Sequence, residues 1–461
     1  MPRFRLLLVL CRRSSDLHLH SIPRHFASCP LPVASPLDFS NPREREGDSS
    51  EEKRSETLSS RVERLTRGES VVSAFQSWMR EGFAIHRGDI FHTVNRLRKL
   101  KMNKRALEVM EWVIRERPYK LKELEYSYLL EFTTKIHGIS HGRKKNIPRI
   151  LTLMKADGVS PHTSTYNILL KIEADDHNIE GLSKVFIEMK QAKVEPNEIT
   201  YGILAIAHAV ARLYTVSETY IEAIERSKTG NNWSTLDILL ILYGYLGKEE
   251  ELERTWKFVE ELPHARTKSF VLAIEAFGRI GHVSRAEEIW AEMKSNRELK
   301  FTKQFNSIIS VYCRHGLVEK ASEVFKRMEA NGCKPNAITY RHLALGCLKV
   351  GLIKEALKTM NMGKSETLGF QVRRSTPWLE TAHMVLEVFA DLGDLENAKM
   401  LFEEFKETKY CRYTFVYNTL LRAYVKAKVY DPELLRKMIL GGARPDAETY
   451  SLVRLLEQFK N

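Results

Sequence analysis

The sequence has little of the chemistry that an enzyme or a metalloprotein requires. Its 461 residues include six cysteines, which form no CxxC pair and show no Cys/His spacing of a zinc site. It contains neither a GxxxxGK(S/T) phosphate loop nor a GxGxxG dinucleotide fingerprint. The sequence therefore predicts no metal, no cofactor and no catalytic residue, and it indicates free thiols in a reducing compartment.

Long apolar runs are also missing, which argues against membrane insertion. The amino-terminal run from Leu6 to Cys11 is far shorter than the roughly 20 residues needed to span a bilayer. The surrounding segment is rich in Arg, Ser and Leu and poor in acidic residues, as organelle presequences are. Arg24 to Ser28, with the sequence RHFAS, resembles a mitochondrial processing site. Residues 1–42 are therefore predicted to be a mitochondrial presequence, with a chloroplast presequence as the alternative.

Acidic residues are outnumbered, which favours a polyanionic partner. The chain has a formal net charge of +13, of which residues 1–40 carry +3 and the rest +10. Lys and Arg side chains that neutralise phosphates release counterions and thereby gain affinity. The stretch from Arg43 to Glu56 is highly charged and has no apolar periodicity. Residues 43–68 are therefore predicted to form a disordered, charged linker.

What the sequence does contain is a period of about 35 residues. A large apolar residue begins a helical pattern at successive spacings of 35, 35, 34, 35 and 35 residues, and the phase continues to the carboxyl terminus. These residues are Tyr166, Tyr201, Leu236, Phe270, Phe305 and Tyr340, followed by Ala382, Tyr417 and Tyr450. A period sustained over most of a chain is typical of a solenoid, whose repeats cannot bury their apolar faces alone.

The repeat from Thr302 to Asn336 predicts a helical hairpin. One apolar stripe begins at Phe305 and a second at Ala321, each with i, i+3, i+4, i+7 spacing. Gly316 separates them, and glycines recur in the same phase at Gly247, Gly281, Gly351 and Gly393. We therefore predict an all-α protein, an α-solenoid of helix-turn-helix repeats.

The period also sets the predicted domain boundaries. A helical amino-terminal cap with one degenerate repeat is expected over residues 69–122, because the first face of a solenoid must be covered. The repeat array is expected over residues 123–461. Its repeats are 123–162, 163–197, 198–232, 233–266, 267–301, 302–336, 337–378, 379–413 and 414–446, with a partial repeat at 447–461.

Specific motifs give the chain a family resemblance. Repeats open with Thr165-Tyr166-Asn167 or Val416-Tyr417-Asn418, and they close with VEPN, CKPN or ARPD. With the 35-residue period, these motifs make the chain resemble a pentatricopeptide repeat protein of the P class. Tetratricopeptide repeats are the near alternative, with a period of 34 and a different consensus. The resemblance implies a right-handed superhelix that binds single-stranded RNA in its concave groove, with about one base per repeat.

The resemblance also implies which residues read the bases. In each repeat they are the residue after the opening aromatic and the residue after the closing proline. Three pairs resemble the family's pyrimidine-reading pairs, namely Asn167 with Asn197, Asn306 with Asn336, and Asn418 with Asp446. Five pairs depart from that pattern, namely Gly202 with Asn232, Asp237 with Arg266, Val271 with Phe301, Arg341 with Trp378, and His383 with Tyr413. The alternative for Asn197, Asn336 and Asp446 is that they are helix caps, which Asn and Asp also favour.

Four basic residues, Arg279, Arg314, Lys349 and Lys426, share one phase, two residues before the turn of their repeats. Contact with RNA phosphates would explain them. Cations that stabilise the end of a helix would explain them as well.

The sequence therefore predicts a non-enzymatic, organellar protein that binds single-stranded RNA. Its expected role is mitochondrial RNA processing, stability, splicing or translation. The alternative is a structural subunit of the mitochondrial ribosome, or a scaffold attached to it, since five of the eight pairs leave mainly contacts to the RNA backbone.

Overall fold

The described part of the chain is entirely helical. The computed structural model describes residues 57–66, 68–136, 141–226, 233–262, 265–365, 372 and 375–460. These residues contain 23 α-helices and one short 3-10 helix, and no strand. The predicted presequence and most of the predicted linker lie outside the described residues.

The chain divides into two compact units. Among the described residues, the large unit contains Glu173–Leu182 and residues 197–460, and the small unit contains residues 57–172 and Ser183–Pro196. Within the small unit the helices α1 to α6 follow one another in chain order. They are α1 (Leu58–Arg64), α2 (Val71–Arg80), α3 (Arg87–Lys99), α4 (Asn103–Glu116), α5 (Glu123–Ile136) and α6 (His141–Ala156).

Two further helices are divided between the units, and the remaining fifteen belong to the large unit. The divided helices are α7 (Thr163–Asp175) and α8 (Ile179–Gln191). The helices of the large unit are α9 (Glu198–Val210), α10 (Tyr214–Arg226), α11 (Trp233–Leu246), α12 (Glu249–Glu261), α13 (Thr267–Arg279), α14 (Val283–Asn296), α15 (Thr302–Arg314), α16 (Val318–Ala330), α17 (Ala337–Lys349), α18 (Ile353–Ser365), α19 (Thr376–Leu392), α20 (Leu395–Thr408), α21 (Thr414–Ala427), α22 (Leu434–Leu440) and α23 (Ala447–Glu457).

Helix α1 lies inside the segment that the sequence assigned to a linker. Leu58 and Val62, one turn apart, are 2% and 0% exposed and pack in the core of the small unit. Arg61 forms an ion pair with Glu81 at the end of α2. The cap of the array therefore begins before residue 69, because two apolar residues one turn apart are enough to anchor a short helix on a neighbour.

The turn inside each described hairpin of the array has a left-handed residue, at the position where glycines recur in the sequence. Gly316 has φ +71°, and the amide of the following Leu317 donates a 2.8 Å hydrogen bond to the carbonyl of Tyr312, which closes the end of α15. The same position is left-handed in the other described hairpins of the array, at His177, Arg212, Gly247, Gly281, Gly351, Gly393 and Lys428. Where the residue is not glycine, the repeat carries the conformational cost of a left-handed side chain.

Neighbouring repeats of the large unit are joined by aromatic pairs. A bulky residue on the second helix of one repeat meets the opening aromatic of the next repeat edge to face. Trp256 and Phe270 have ring centroids 5.0 Å apart at 78°, and Phe402 and Tyr417 are 4.8 Å apart at 68°. Such contacts add about 0.5–1.5 kcal/mol to the area that the rings bury. The period in the sequence is therefore a period of packing contacts between repeats.

Candidate nucleic-acid interface

The predicted pair Asn306 and Asn336 is assembled in the structure. Asn306 lies in the first turns of α15 and is 7% exposed, and Asn336 precedes α17. The Nδ2 of Asn306 donates to the Oδ1 of Asn336 at 3.3 Å, and the hydroxyl of Thr339 donates to the Oδ1 of Asn306 at 2.8 Å. Two amide side chains that are 30 residues apart in the sequence are therefore held side by side.

Asn418 and Asp446 form the same arrangement. The Nδ2 of Asn418 donates to the Oδ1 of Asp446 and to the Oε2 of Glu448, both at 3.1 Å, and the hydroxyl of Thr449 donates to the Oδ1 of Asn418 at 2.7 Å. Burial raises the pKa of Asp446, but the hydrogen bonds from the Thr449 amide and from Asn418 outweigh it, so the pKa is lowered. Asp446 is thus held as a carboxylate that accepts hydrogen bonds.

The cap role that the sequence left as an alternative is present in the same residues. The side chains of Asn197, Asn336 and Asp446 accept hydrogen bonds from the amides of Thr200, Thr339 and Thr449 at 3.0, 3.0 and 2.8 Å. Each threonine hydroxyl accepts from the backbone amide of its cap residue, so the caps are reciprocal. At Asn336 the cap uses Oδ1, and the amide Nδ2 remains as the group that can donate to a ligand.

The other predicted base-reading residues are placed differently. Asn167 is a half-buried residue of α7 in the small unit, and its pairing with Asn197 stays a prediction. Gly202 is buried in α9, where an added Cβ would lie 2.7 Å from the Cδ1 of Ile238. Asn232 lies outside the described residues.

Two of the pairs that depart from the family pattern are also in contact, and their charged groups are already paired within the protein. Asp237 accepts a 2.9 Å hydrogen bond from the guanidinium of Arg266 and a 2.7 Å bond from the hydroxyl of Ser269. The guanidinium of Arg341 lies 3.3 Å from the ring centroid of Trp378. The two positions therefore meet in these repeats as well, and the charge of Arg341 is paired with Glu404, whose Oε2 accepts a 2.7 Å hydrogen bond from the Nη2 of Arg341.

The remaining two pairs, Val271 with Phe301 and His383 with Tyr413, differ from each other in burial. Val271 is 2% exposed whereas Phe301 is 65% exposed. His383 is buried, and its Nε2 lies 3.0 Å from the hydroxyl of Thr419. Tyr413 is buried too, and its hydroxyl lies 3.1 Å from the Nδ1 of His177.

The four basic residues with a common phase fall into two groups. All four lie in the last turn of the first helix of their repeats. Lys349 and Lys426 are exposed. Arg279 and Arg314 are partly buried, and burial together with the positive charge of Arg279 lowers the pKa of Arg314.

Arg279 is bound by an acidic residue that the sequence does not predict at this place. Its Nη1 and Nη2 donate to the two carboxylate oxygens of Glu380 at 3.2 and 2.7 Å. The Tyr245 hydroxyl also donates to this carboxylate, and the Arg279 guanidinium lies 3.9 Å from the Tyr245 ring centroid. Burial raises the pKa of Glu380, but Arg279 and Arg314 outweigh it and lower the pKa. No periodic signal could have identified Glu380, because it is 101 residues from Arg279.

Neither a metal site nor a membrane-spanning helix is found among the described residues. No group of three or more His, Cys, Asp and Glu residues in this part of the chain could hold a metal ion. Within the same ranges, no helix has both the length and the apolar character needed to cross a bilayer.

The fold and the paired polar positions define a helical-hairpin repeat protein with repeats of about 35 residues. Models of the PPR repeat family match residues 161–209 and 302–349, a model of the pentatricopeptide repeat domain matches residues 120–176, and a PPR repeat model matches residues 269–297. A mitochondrial pentatricopeptide repeat-containing protein of Arabidopsis thaliana is 53% identical, and the alignment covers 87% of this chain and 87% of its own length. The chain belongs to the pentatricopeptide repeat family.

More distant relatives and one solved structure are similar over part of the chain. Another mitochondrial pentatricopeptide repeat-containing protein of Arabidopsis thaliana is 23% identical over 78% of this chain and 70% of its own length. The mitochondrial location predicted from the amino terminus is confirmed by these relatives. A large ribosomal subunit protein of the same plant, mL101, is 25% identical over 58% of this chain and 55% of its own. The crystal structure of the pentatricopeptide repeat protein PPR10 from maize aligns with a TM-score of 0.32 and 19% identity over 84% of this chain and 58% of the maize chain.

Proposed function

We propose that this chain binds single-stranded RNA in the mitochondrion and reads individual bases with the pairs Asn306–Asn336 and Asn418–Asp446. The observation that carries the proposal is the contact within each pair, at 3.3 and 3.1 Å. A repeat protein of this kind can read one base per repeat with two or three side chains. Two polar side chains fixed next to each other satisfy that requirement.

The chemistry of the two pairs supports different base preferences. The Asn306–Asn336 pair contains amides, which carry both donors and acceptors, whereas the carboxylate of Asp446 only accepts hydrogen bonds. The caps on Thr339 and Thr449 fix the side chains before RNA arrives, so little rotamer entropy is lost on binding. Asn167 with Asn197 and Gly202 with Asn232 are proposed as further reading pairs, and Arg279, Arg314, Lys349 and Lys426 as phosphate contacts.

The cellular role proposed for the chain is non-enzymatic. A bound array covers a stretch of RNA and keeps it single-stranded. It can thereby block nucleases or expose a neighbouring site to another factor. These effects act in mitochondrial RNA processing, stability, splicing or translation.

A reciprocal exchange of the cap residues tests base reading. Asn336→Asp and Asp446→Asn each keep a favoured cap residue, so the helices should keep their stability. If the pairs read bases, selection from a randomised RNA pool should show the preferences at the two corresponding positions exchanged. An unchanged preference at both positions in both variants would show that Asn336 and Asp446 act as caps alone.

A loss-of-contact variant provides the second test. Asn306→Ala should weaken binding to the selected RNA by about 10-fold, which corresponds to one lost discriminating contact of about 1–3 kcal/mol, and should affect an unrelated RNA less. The matched control is Asn331→Ala, which removes an exposed asparagine at the end of α16. Equal losses on both RNAs would argue that Asn306 makes no base-specific contact.

A second candidate function is attachment to the mitochondrial ribosome. The similarity to the large ribosomal subunit protein mL101 favours it. The closed pairs Asp237–Arg266 and Arg341–Trp378 favour it as well, since they leave little for base reading in their repeats. Sedimentation of mitochondrial extract after a high-salt wash distinguishes the two functions. Stable migration with ribosomal particles would support the ribosomal role, and release into the free fraction would support an independent RNA-binding factor.

A further inference from the structure

The large unit contains contacts that a simple solenoid does not make. In a solenoid each repeat contacts its neighbours in the chain. Glu380, in the repeat 379–413, instead contacts Arg279 and Tyr245, which lie 101 and 135 residues away and belong to the repeats 267–301 and 233–266. Repeats three and four places apart are therefore joined through one carboxylate.

The Glu380 contacts have the geometry of an occupied anion site. Two parallel N–H groups of one guanidinium meet the two oxygens of the carboxylate, and the Tyr245 hydroxyl adds a third donor. The same planar fork recognises phosphate, whose oxygens accept hydrogen bonds in the same way. The Glu380 side chain is 15% exposed and that of Arg279 is 25% exposed, so water screens the pair only in part.

A second set of contacts also joins distant repeats of the large unit. The carboxylate of Asp176 accepts a 2.7 Å hydrogen bond from Lys409, and its backbone carbonyl accepts from Arg412 at 2.9 Å. The hydroxyl of Tyr413 lies 3.1 Å from the Nδ1 of His177. These contacts span 233 and 236 residues, so Glu380 is one of several acidic residues in the described part of the large unit that contact a basic residue of a distant repeat.

We propose that Glu380 competes with RNA phosphate for one anion site. In the free protein its carboxylate occupies the donors of Arg279 and Tyr245, and a phosphate group replaces it when RNA binds. The inference rests on the proposed RNA-binding function and deepens it, because it gives the phosphate contact at Arg279 an internal competitor. The contact makes the binding-competent form only a fraction of the free protein, which weakens the apparent affinity by that fraction.

The test is Glu380→Gln, which keeps the size of the side chain and removes its charge. Binding of a fluorescent single-stranded RNA to the full chain is measured at several salt concentrations. The expected result is an affinity on the order of 10-fold tighter than that of the natural chain. In an Arg279→Ala background the same substitution should give no gain, since the donor for which Glu380 and phosphate compete is gone.

A matched charge control separates competition from a general increase in positive charge. Glu287→Gln also removes one negative charge from an ion pair between repeats, here with Lys320 at 2.5 Å between α14 and α16. Its effect on RNA affinity should be small. Equal gains from Glu287→Gln and Glu380→Gln, or no gain from Glu380→Gln, would overturn the competition while leaving RNA binding intact.

Two further outcomes keep the proposals distinct. If neither the natural chain nor Glu380→Gln binds any single-stranded RNA while circular dichroism shows both folded, the proposed function itself fails, and the competition with it. If Glu380→Gln does not fold, Glu380→Asp withdraws the carboxylate from Arg279 by one methylene and leaves both donors of the anion site in place. It should tighten RNA binding by a smaller factor, and an unchanged affinity would count against the competition.

Discussion

Two buried histidines should make the stability of the large unit decrease at mildly acidic pH. His342 and His383 are 5% and 3% exposed. Burial and, to a smaller extent, nearby guanidinium groups lower both pKa values to about 3; the groups are those of Arg314 and Arg341 for His342 and those of Arg212 and Arg422 for His383. Both imidazoles are therefore neutral in the folded chain over most of the accessible pH range.

The sign and the size of the effect follow from linkage. The unfolded chain binds protons on both imidazoles below the ordinary pKa of 6.5, while the folded chain stays neutral down to about pH 3. The stability that they contribute is thus fully present above pH 6.5 and is lost as the pH falls toward 3. At about pH 5.5 each histidine should remove about 1.4 kcal/mol of unfolding free energy, and the two together about 2.8 kcal/mol.

Urea unfolding at about pH 7.5 and about pH 5.5, followed by circular dichroism, measures this loss. In the double variant His342→Gln/His383→Gln the loss between the two pH values should be smaller by about 2.8 kcal/mol. His162→Gln, which replaces an exposed histidine, is the control and should behave as the natural chain does. A double variant that loses as much stability on acidification as the natural chain would refute the reasoning.

Two further predictions concern the contacts between repeats and the caps. Gly244→Ala should destabilise the large unit by about 1–3 kcal/mol, because the new Cβ would lie 2.8 Å from the backbone Cα of Ala276. Gly88→Ala, where nothing lies within 4 Å, should instead be neutral or stabilise α3 by up to about 1 kcal/mol, and similar losses in both variants would contradict this packing argument. Asn336→Ala should cost about 1 kcal/mol by removing the acceptor for the amide of Thr339, whereas Asn336→Asp should cost little; thermal unfolding measures both, and equal costs would show that the cap adds nothing.

Much of the fold follows from local spacing in the sequence. The opening aromatics predict where hairpins begin, and Phe305 and Tyr340 are indeed buried at the starts of α15 and α17. Gly316 predicts the break between the two helices of its hairpin, and the structure has a turn with a left-handed residue there. Each of these features depends on residues within one or two turns of helix, so periodicity alone identifies them.

Part of the candidate site could be predicted in the same way. The resemblance to a repeat family gave the phase of Asn306 and Asn336, and the structure brings their side chains into contact. The resemblance could not show that Arg341 stacks on Trp378. The place of a residue within its repeat determines where its backbone lies, but it leaves the side-chain rotamer undetermined. Nor could it show that Asn336 serves as a helix cap at the same time.

The sequence by itself determined the repeat, its turns and the positions that meet between adjacent repeats. Only the tertiary structure decided which residues of distant repeats are in contact, such as Glu380 with Arg279 and Asp176 with Lys409. The physical reason is that each repeat adds a small rotation and translation to the last one. Contacts between residues that are 101 to 236 positions apart depend on the sum of those steps. A 35-residue pattern describes a single repeat, so it cannot predict that sum.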